Sequence, residues 1–467
     1  MPNISKPRIG LLGLILDAYE PIFDGITARQ EHFLQQIAES LRPEIEVYCP
    51  GAKSTRQQIE NAVIDMNQRN LDGLLIVMLT YNCSTRLIPS LKTNQLPLAL
   101  AVVQPDPVVR DEWVELDLTV NQGIHGAQDN ANALLRSGHR CQYFAGNRHE
   151  TRFHDFVVDF GKAAQTCRAL RRMKVAVWGR LSGMGDLLTD EFAFYRTIGP
   201  EFVHVTVGQI HHAMEKVADA EIQAQLALDR RRFEIDPSIS EENLAYAERM
   251  YLGLKQYLQE NGFDAFTVQF DIFAEDGRFR QIPFLAASHL MADGYGYAAE
   301  GDMTCAALLA AAHRLGGGDG TFSEMYAMDA DTKSILFCHA GEGNWDVANP
   351  ERKPRLIDHY VGEGGLGNMP TPVFTVRPGP ATVASLVSLE GSHFRLVLAG
   401  GEILPRAGMT GNEMPYFFFR PQGGVESCVE GWLRSGGTHH EVINASDLVA
   451  RWRMLCEMIG IELVQVS

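Results

Sequence analysis

Gly73-Leu-Leu-Ile-Val-Met-Leu-Thr80 has no charge and no proline. A short, wholly apolar run of this kind reads as a strand buried on both faces, the signature of a parallel sheet. On its N-terminal side, residues 54–69 read as a helix with Ser54 as its N-cap. Before that, Arg8-Ile-Gly-Leu-Leu-Gly-Leu-Ile-Leu16 reads as a buried strand, residues 26–41 as a helix and Glu46-Val-Tyr-Cys49 as a strand. On its C-terminal side, Leu98-Ala-Leu-Ala-Val-Val103 is another strand. Strand–helix alternation at this spacing predicts a Rossmann-like α/β domain, a parallel sheet with helices on both faces.

The pattern restarts near residue 174. Lys174-Val-Ala-Val-Trp178, Phe202-Val-His-Val-Thr206 and Ala265-Phe-Thr-Val-Gln-Phe270 read as strands, and 241–260 as a long amphipathic helix ended at Gly262. A second α/β domain follows from this restart. Beyond Gly316-Gly-Gly-Asp-Gly320 the texture changes. Val373–Val376, Ala381–Leu389 and Phe394–Leu398 read as consecutive strands joined by Gly/Pro turns, hence an antiparallel sandwich or barrel. A helix over 446–458 and a strand over 461–466 close the chain. The reading is therefore α/β, with domains over 1–170 and 171–318 and an antiparallel β-rich, barrel-like domain over 319–467.

A chain of 467 residues is too long for one ordinary core, in keeping with several domains. Its net charge of −17 disfavours nucleic acid and anionic membrane as partners. No segment has the make-up of a secretion signal, and no apolar stretch approaches a membrane span. The eight cysteines are scattered without a CxxC pair, as expected of reduced thiols in a cytoplasmic protein. The glycine-rich segments 316–320 and 362–367 lack the spacing of nucleotide-binding loops and read as turns. Cys83 and Cys338 sit in no nucleophile motif. Arg171-Arg172 and Arg230-Arg-Arg232 read as solvated helix faces or salt-bridge partners.

Four side chains stand in contexts that suit a metal ligand. Glu300 lies in Gly-Tyr-Ala-Ala-Glu-Gly-Asp before an Ala/Leu-rich helix, and Glu324 in Gly-Thr-Phe-Ser-Glu-Met-Tyr. His339 follows the apolar run Ser-Ile-Leu-Phe-Cys, and His440 ends Gly-Gly-Thr-His-His. Two carboxylates and two imidazoles suit a divalent first-row cation with open positions for substrate oxygens. Each residue alone has an ordinary reading. Glu300 could be a surface carboxylate, although Asp302 is the better helix cap; Glu324 could be a solvated loop residue, and His339 a satisfied strand-end histidine. In a strand His439 and His440 would point to opposite faces, so at most one would bind metal.

Several segments carry a family pattern in order: Asn121-Gln-Gly-Ile-His-Gly126, Gly294-Tyr-Gly-Tyr-Ala-Ala-Glu-Gly-Asp302 with Ala306-Ala-Leu-Leu309, and Gly320-Thr-Phe-Ser-Glu324. Next come Leu336-Phe-Cys-His339 with Glu342, Gly379-Pro-Ala-Thr-Val-Ala-Ser-Leu386, and Gly436-Gly-Thr-His-His440. Together they resemble the L-arabinose isomerase / L-fucose isomerase group. The resemblance implies a metal-dependent aldose–ketose isomerase of a monosaccharide working through a cis-enediol. Glu300, Glu324, His339 and His440 would hold Mn²⁺ (or Co²⁺ or Mg²⁺), with no organic cofactor. The two glutamates would be the catalytic carboxylates, and Tyr81, Gln122, His125, Met184, Phe270 and His439 would line the substrate pocket. The resemblance also implies a homotrimer or homohexamer with its site completed across a subunit boundary.

The chain departs from the arabinose enzymes at two places. Their sugar-contacting segment reads roughly Gly-Ser-Gln-His-Leu-Tyr, where this chain has Gly13-Leu-Ile-Leu-Asp-Ala-Tyr19. Glu363 stands where an apolar pocket residue is expected. The reaction machinery is kept while the specificity positions differ. A non-catalytic sugar-binding or regulatory protein, and a metal-dependent epimerase or aldolase, are the competing readings.

Overall fold

The computed structural model describes residues 5–180, 183–360, 366–406 and 408–467. These divide by packing into two units. One comprises Ser5–Arg168 with Ala450–Met458, the other Ala169–Val449 with Ile459–Ser467.

The first unit holds a sheet of β1 (Arg8–Leu14), β2 (Glu46–Tyr48), β3 (Ala52–Lys53), β4 (Gly73–Met78), β5 (Leu98–Gln104) and β6 (Cys141–Asn147). Its order is β2-β1-β4-β5-β6 with β3 beside the end of β1, and every pairing is parallel. All six residues of β4 are buried. Leu74, Ile76 and Met78 on one face meet Ile59, Val63 and Met66 of the helix Arg56–Gln68 and Leu134 of the helix Gly123–Arg136. Burial on both faces explains why the strand is apolar throughout rather than alternating. The cap of the first of these helices is Thr55, not Ser54. Thr55 has extended backbone angles and accepts from Gln58 N–H, while Gln58 reaches back to the Thr55 N–H in a capping box. Ser54 lies one residue too early and bonds the Gln58 side chain.

The second unit begins with β7 (Lys174–Trp178), β8 (Glu201–His204), β9 (Glu234–Ile235), β10 (Ala265–Val268) and β11 (Gly296–Ala299). Four of these form a parallel sheet in the order β11-β10-β7-β8. The helix Glu241–Asn261 ends at Gly262, which takes the left-handed conformation (φ 67°) expected of a C-terminal glycine.

The remaining strands are β12 (Gly320–Asp329), β13 (Ser334–Cys338), β14 (Arg355–His359), β15 (Met369–Val373), β16 (Gly379–Ser388), β17 (Phe394–Ile403), β18 (Tyr416–Pro421), β19 (His440–Asn444) and β20 (Glu462–Gln465). The order β16-β19-β12-β13-β18-β17 closes through a β16–β17 pairing into an antiparallel barrel, with β20 added parallel to β17. Its core includes Phe337, Val383, Val397, Phe417, Phe419 and Ile443. Closure removes free edges, which a long antiparallel sheet otherwise exposes. β14 and β15 form a small separate sheet with β9.

One strand differs from the sequence reading. The run expected at Val373–Val376 is β15, Met369–Val373, while Thr375 and Val376 make only isolated bridges. Pro370 and Pro372 conceal it. β15 is an edge strand paired only to β14, so prolines of one parity direct their missing N–H groups away from the partner. Among the described residues no helix is long and apolar enough to cross a membrane. All eight cysteines are free thiols, and five of them are buried.

Candidate metal centre and active site

The centre lies in the second unit, where the carboxyl edge of the parallel sheet supplies one ligand candidate and the barrel supplies three. Glu300 follows the last residue of β11 and has φ 63°, the left-handed region that side chains other than glycine rarely adopt. Such a residue costs on the order of 1–2 kcal/mol and persists where its surroundings fix it. Gly301 (φ 79°) continues the turn. A Cβ there would stand 2.5 Å from Arg180 Cα, so only glycine fits. Asp302 then caps the helix Met303–Gly316 by accepting from Cys305 N–H (2.9 Å).

Barrel register aligns the others. Glu324 of β12 pairs with His440, the first residue of β19, on one side and with Cys338, the last of β13, on the other. His339 follows Cys338. The ring of Phe322, two residues before Glu324, meets both His339 and His440 edge-on (4.6 and 4.9 Å between centroids). This apolar floor limits the ligand rings to the directions left open.

The four side chains converge. His440 Nε2 lies 3.5 Å from Glu300 Oε2 and 3.4 Å from Glu324 Oε1, and His339 Nε2 lies 3.8 Å from Glu324 Oε1. His439 joins them, its Nε2 3.8 Å from both Glu300 Oε2 and Glu324 Oε1. The opposite-face expectation for the two adjacent histidines therefore fails. His439 sits in a bend before β19, where strand alternation does not apply. Glu300, His339 and His440 form one group of metal-ligand geometry, and Glu324, His439 and His440 another.

Each imidazole has a carboxylate at its other nitrogen. His440 Nδ1 bonds Asp302 Oδ2 (3.0 Å), His439 Nδ1 bonds Asp186 Oδ2 (2.7 Å), and His339 Nδ1 stands 3.2 Å from Glu342 Oε2. Tyr297 O–H in turn donates to Glu342 Oε1 (2.7 Å). Outer carboxylates that hydrogen-bond in this way orient a ligating histidine and fix its tautomer, as for His439 and His440; His339 Nδ1 and Glu342 Oε2 are close but make no hydrogen bond. The Nε2 atoms are left facing Glu300 and Glu324, and the buried atoms Glu300 Oε2 and His440 Nε2 have no hydrogen-bond partner. Buried polar atoms without partners are unusual and call for an occupant. The donor set thus fits a divalent cation.

The electrostatics follow the same geometry. Burial raises the Glu300 carboxyl, but His439 and His440 outweigh it and hold the group well below the usual carboxylate range. Burial lowers His440, but Asp302, Glu300 and Glu324 raise it well above an ordinary imidazole. Cys338 is pushed up to about 12 by burial and the nearby Glu324, so it is no thiolate nucleophile.

Of the other residues singled out from the sequence, Phe270 lies just past the carboxyl end of β10, the neighbour of β11, and packs its ring on Phe284. Met184 is half-buried and precedes the short turn Gly185–Leu187 that carries Asp186. Tyr81, Gln122 and His125 belong to the first unit. There Tyr81 stacks on His125 (5.2 Å between centroids) and donates to Asp129, and the buried Gln122 Nε2 has no partner. Gly126 makes that stacking possible, since a Cβ there would stand 3.0 Å from Tyr81 Cα. Glu363 lies outside the described residues. Asp186 escaped the sequence reading, as did the roles of Asp302 and Glu342 as histidine partners. The i,i+3 spacing of His339 and Glu342 was the one local signal, while Asp186 and His439 are 253 residues apart.

The fold and site define a class: α/β sheets joined to a closed barrel, with carboxylates and imidazoles gathered between sheet edge and barrel strands. Comparison with known proteins agrees. A model of the L-arabinose isomerase central domain matches residues 189–318, and one of the L-arabinose isomerase C-terminal domain matches 319–462. The L-arabinose isomerase of Nocardioides sp. is 28% identical over 410 residues, 85% of this chain and 80% of the relative. That of Klebsiella pneumoniae is 25% identical over 462 residues (95% and 90%), and that of Clostridium beijerinckii 26% over 409 (86% and 82%). A solved periplasmic solute binding protein from Actinobacillus succinogenes with bound D-allose is 13% identical and covers 67% of this chain and 92% of its own. Its TM-score of 0.17 is too low to bear on fold or ligand. The chain belongs to the L-arabinose isomerase family.

Proposed function

We propose that this member of the family interconverts a monosaccharide aldose and its ketose with the aid of a divalent cation, Mn²⁺ for preference. The convergence of Glu300, Glu324, His339 and His440, with bare Nε2 and carboxylate oxygens facing one another, carries the reading. These four residues would hold the ion. When bound there, a divalent cation supplies positive charge beside the two reacting oxygens and stabilises developing oxyanion character.

The chain's own residues do the rest. The reaction moves a proton between C1 and C2 and another between O1 and O2. Glu300 and Glu324 are two carboxylates at one centre; in this reading one takes the carbon-bound proton and the other returns one to the neighbouring carbon. The route is then a cis-enediol rather than a hydride shift. Only about a sixth of either carboxylate side chain is exposed, which shields the proton in transit from bulk water. Tyr81, Gln122, His125, Met184, Phe270 and His439 are assigned to sugar recognition on the strength of the family resemblance, and Glu363 because it departs from the apolar residue expected near the pocket.

Glu300→Gln and Glu324→Gln each test this. Either substitution is expected to lower turnover by at least about 10³-fold, the scale of a lost acid–base group and metal charge together, with the circular dichroism spectrum unchanged. Metal analysis of the purified protein should find about one divalent ion per chain. Full turnover by either variant, or by metal-stripped protein, would refute the reading.

A further inference from the structure

His439 differs from the other two imidazoles at the centre. His440 is fully buried, whereas the His439 side chain is 37% exposed and stands equally far, 3.8 Å, from Glu300 and Glu324. Its partner is the least expected residue of the site. One oxygen of Asp186, Oδ2, accepts both the backbone N–H (3.0 Å) and the ring Nδ1–H (2.7 Å) of His439. Asp186 is itself held in place. Leu187, next to it, is buried, and Arg180 donates from Nη2 to the Leu187 carbonyl (2.9 Å). The backbone of Arg180 presses on Gly301, next to Glu300. The segment that carries Asp186 is thus keyed to the same turn that projects a ligand candidate.

We propose that Asp186 is the positioning residue for His439, fixing its ring with the proton on Nδ1 and the lone pair of Nε2 directed between Glu300 and Glu324. This rests on the reading of the cluster as the isomerase site. In that site His439 accepts a sugar hydroxyl proton. The O2–H bond of the aldose breaks as Nε2–H forms, and the same proton passes to O1 as the carbonyl there becomes a hydroxyl. No proton, electron or oxidant is left over. Between the two transfers the Asp186 carboxylate stabilises the imidazolium. A carboxylate on the far nitrogen selects the tautomer and raises the basicity of the near one.

Two measurements test the proposal. The first needs no substrate. In metal-free protein labelled with ¹⁵N-histidine, held at a pH above the one at which the ring loses its second proton, and with His439→Gln used to assign the signal, the ring nitrogens of His439 should show the Nδ1–H tautomer. In Asp186→Ala that preference should be lost. An Nε2–H ring in the native protein, or an unchanged tautomer in Asp186→Ala, would overturn the assignment.

The second measurement is kinetic. With Mn²⁺ and the fastest of L-arabinose, L-fucose, L-rhamnose and D-galactose, Asp186→Ala should lower kcat about 10–100-fold, the usual loss when such an outer partner is removed. Mn²⁺ affinity should stay within about threefold. The double variant Asp186→Ala/His439→Gln should be no slower than His439→Gln alone, because residues acting as one unit do not add. Asp186→Glu should recover part of the loss. Multiplying losses in the double variant, or a loss seen in metal affinity alone, would overturn the proposal. Failure of the native protein to turn over any of the four sugars would tell against the function assigned to the site. The tautomer measurement would then decide the placement of His439 by Asp186.

Discussion

Glu300, Asp302 and His440 show how residues acquire a role that their own neighbourhood hides. Asp302 reads as a helix cap, and it is one; its second oxygen also holds His440, 138 residues away. Glu300 has no capping role and is carried off the end of β11 by a left-handed turn. At this scale the chemistry makes a prediction about the proton. If Glu300 and Glu324 shuttle it between carbons, turnover in D₂O places deuterium on C1 of the ketose or C2 of the aldose. A shielded carboxylate returns some of the same proton, so incorporation is expected to be partial. Its complete absence after many turnovers at equilibrium would favour a hydride shift. Specificity is also a residue-scale matter. Ile15 is buried at the end of the first strand, where the resemblance leads one to expect a sugar-contacting amide. A hydroxyl left without its hydrogen bond costs about 1–3 kcal/mol. L-Arabinose is therefore expected to be turned over more slowly than the best sugar of a panel, and equal rates would refute the idea.

Between elements, the most consequential group outside the centre is Asp229, Glu248 and His289. They come from the helices Asp219–Arg232, Glu241–Asn261 and Phe284–Ala292, and all three are buried. Their ligand atoms lie close enough for a metal. The indole N–H of Trp345, however, donates to His289 Nδ1 (3.0 Å), which leaves Nε2 to carry the ring proton toward Asp229 Oδ2 (3.2 Å). A protonated Nε2 cannot ligate. Burial lowers and the two carboxylates raise the proton affinity of His289, but a second ring proton would face the Trp345 N–H. The extra proton belongs to Glu248, whose complete burial raises its carboxyl to about 8. Gln225 and Arg232 face Asp229, and Tyr251 packs on His289, so no other acid competes for it.

The sign of the pH dependence follows. Unfolding lets Glu248 return to an ordinary value near 4.5 and frees His289 to take a second proton below about 6.5, so the folded chain holds one more proton than the unfolded chain only between about 6.5 and 8. Stability falls across that window as pH rises, by up to about 1.4 kcal/mol per pH unit for one proton. Thermal unfolding followed from pH 6.5 to 8 should show the fall, and Glu248→Gln should reduce it. An unchanged slope in the variant would refute the assignment.

For the whole molecule the resemblance implies a homotrimer or homohexamer. Light scattering is expected to give a multiple of the 51.8 kDa chain mass at working concentrations, and a monomeric value would count against this. At this scale sequence and structure differ in a consistent way. The helix ending at Gly262 and the strands at 73, 98, 174 and 265 were legible because each is specified locally, by an apolar run or a capping residue. β15 was not, because prolines are read as breaks until an edge position is known.

The sequence by itself determined the two parallel-sheet α/β regions, the antiparallel region that follows, and the four ligand candidates. Hydrophobic period, glycine placement and ordered motifs are properties of short windows. The sequence read the last region as barrel-like; tertiary structure alone decided how it closes, through the pairing of β16 with β17. It alone brought His439 to the same carboxylates as His440, gave His439 its partner Asp186, and turned Trp345 onto His289. Those outcomes depend on register and on contacts between residues tens to hundreds of positions apart. No local pattern carries that information, because the free energy that selects such contacts is gained only when distant elements pack.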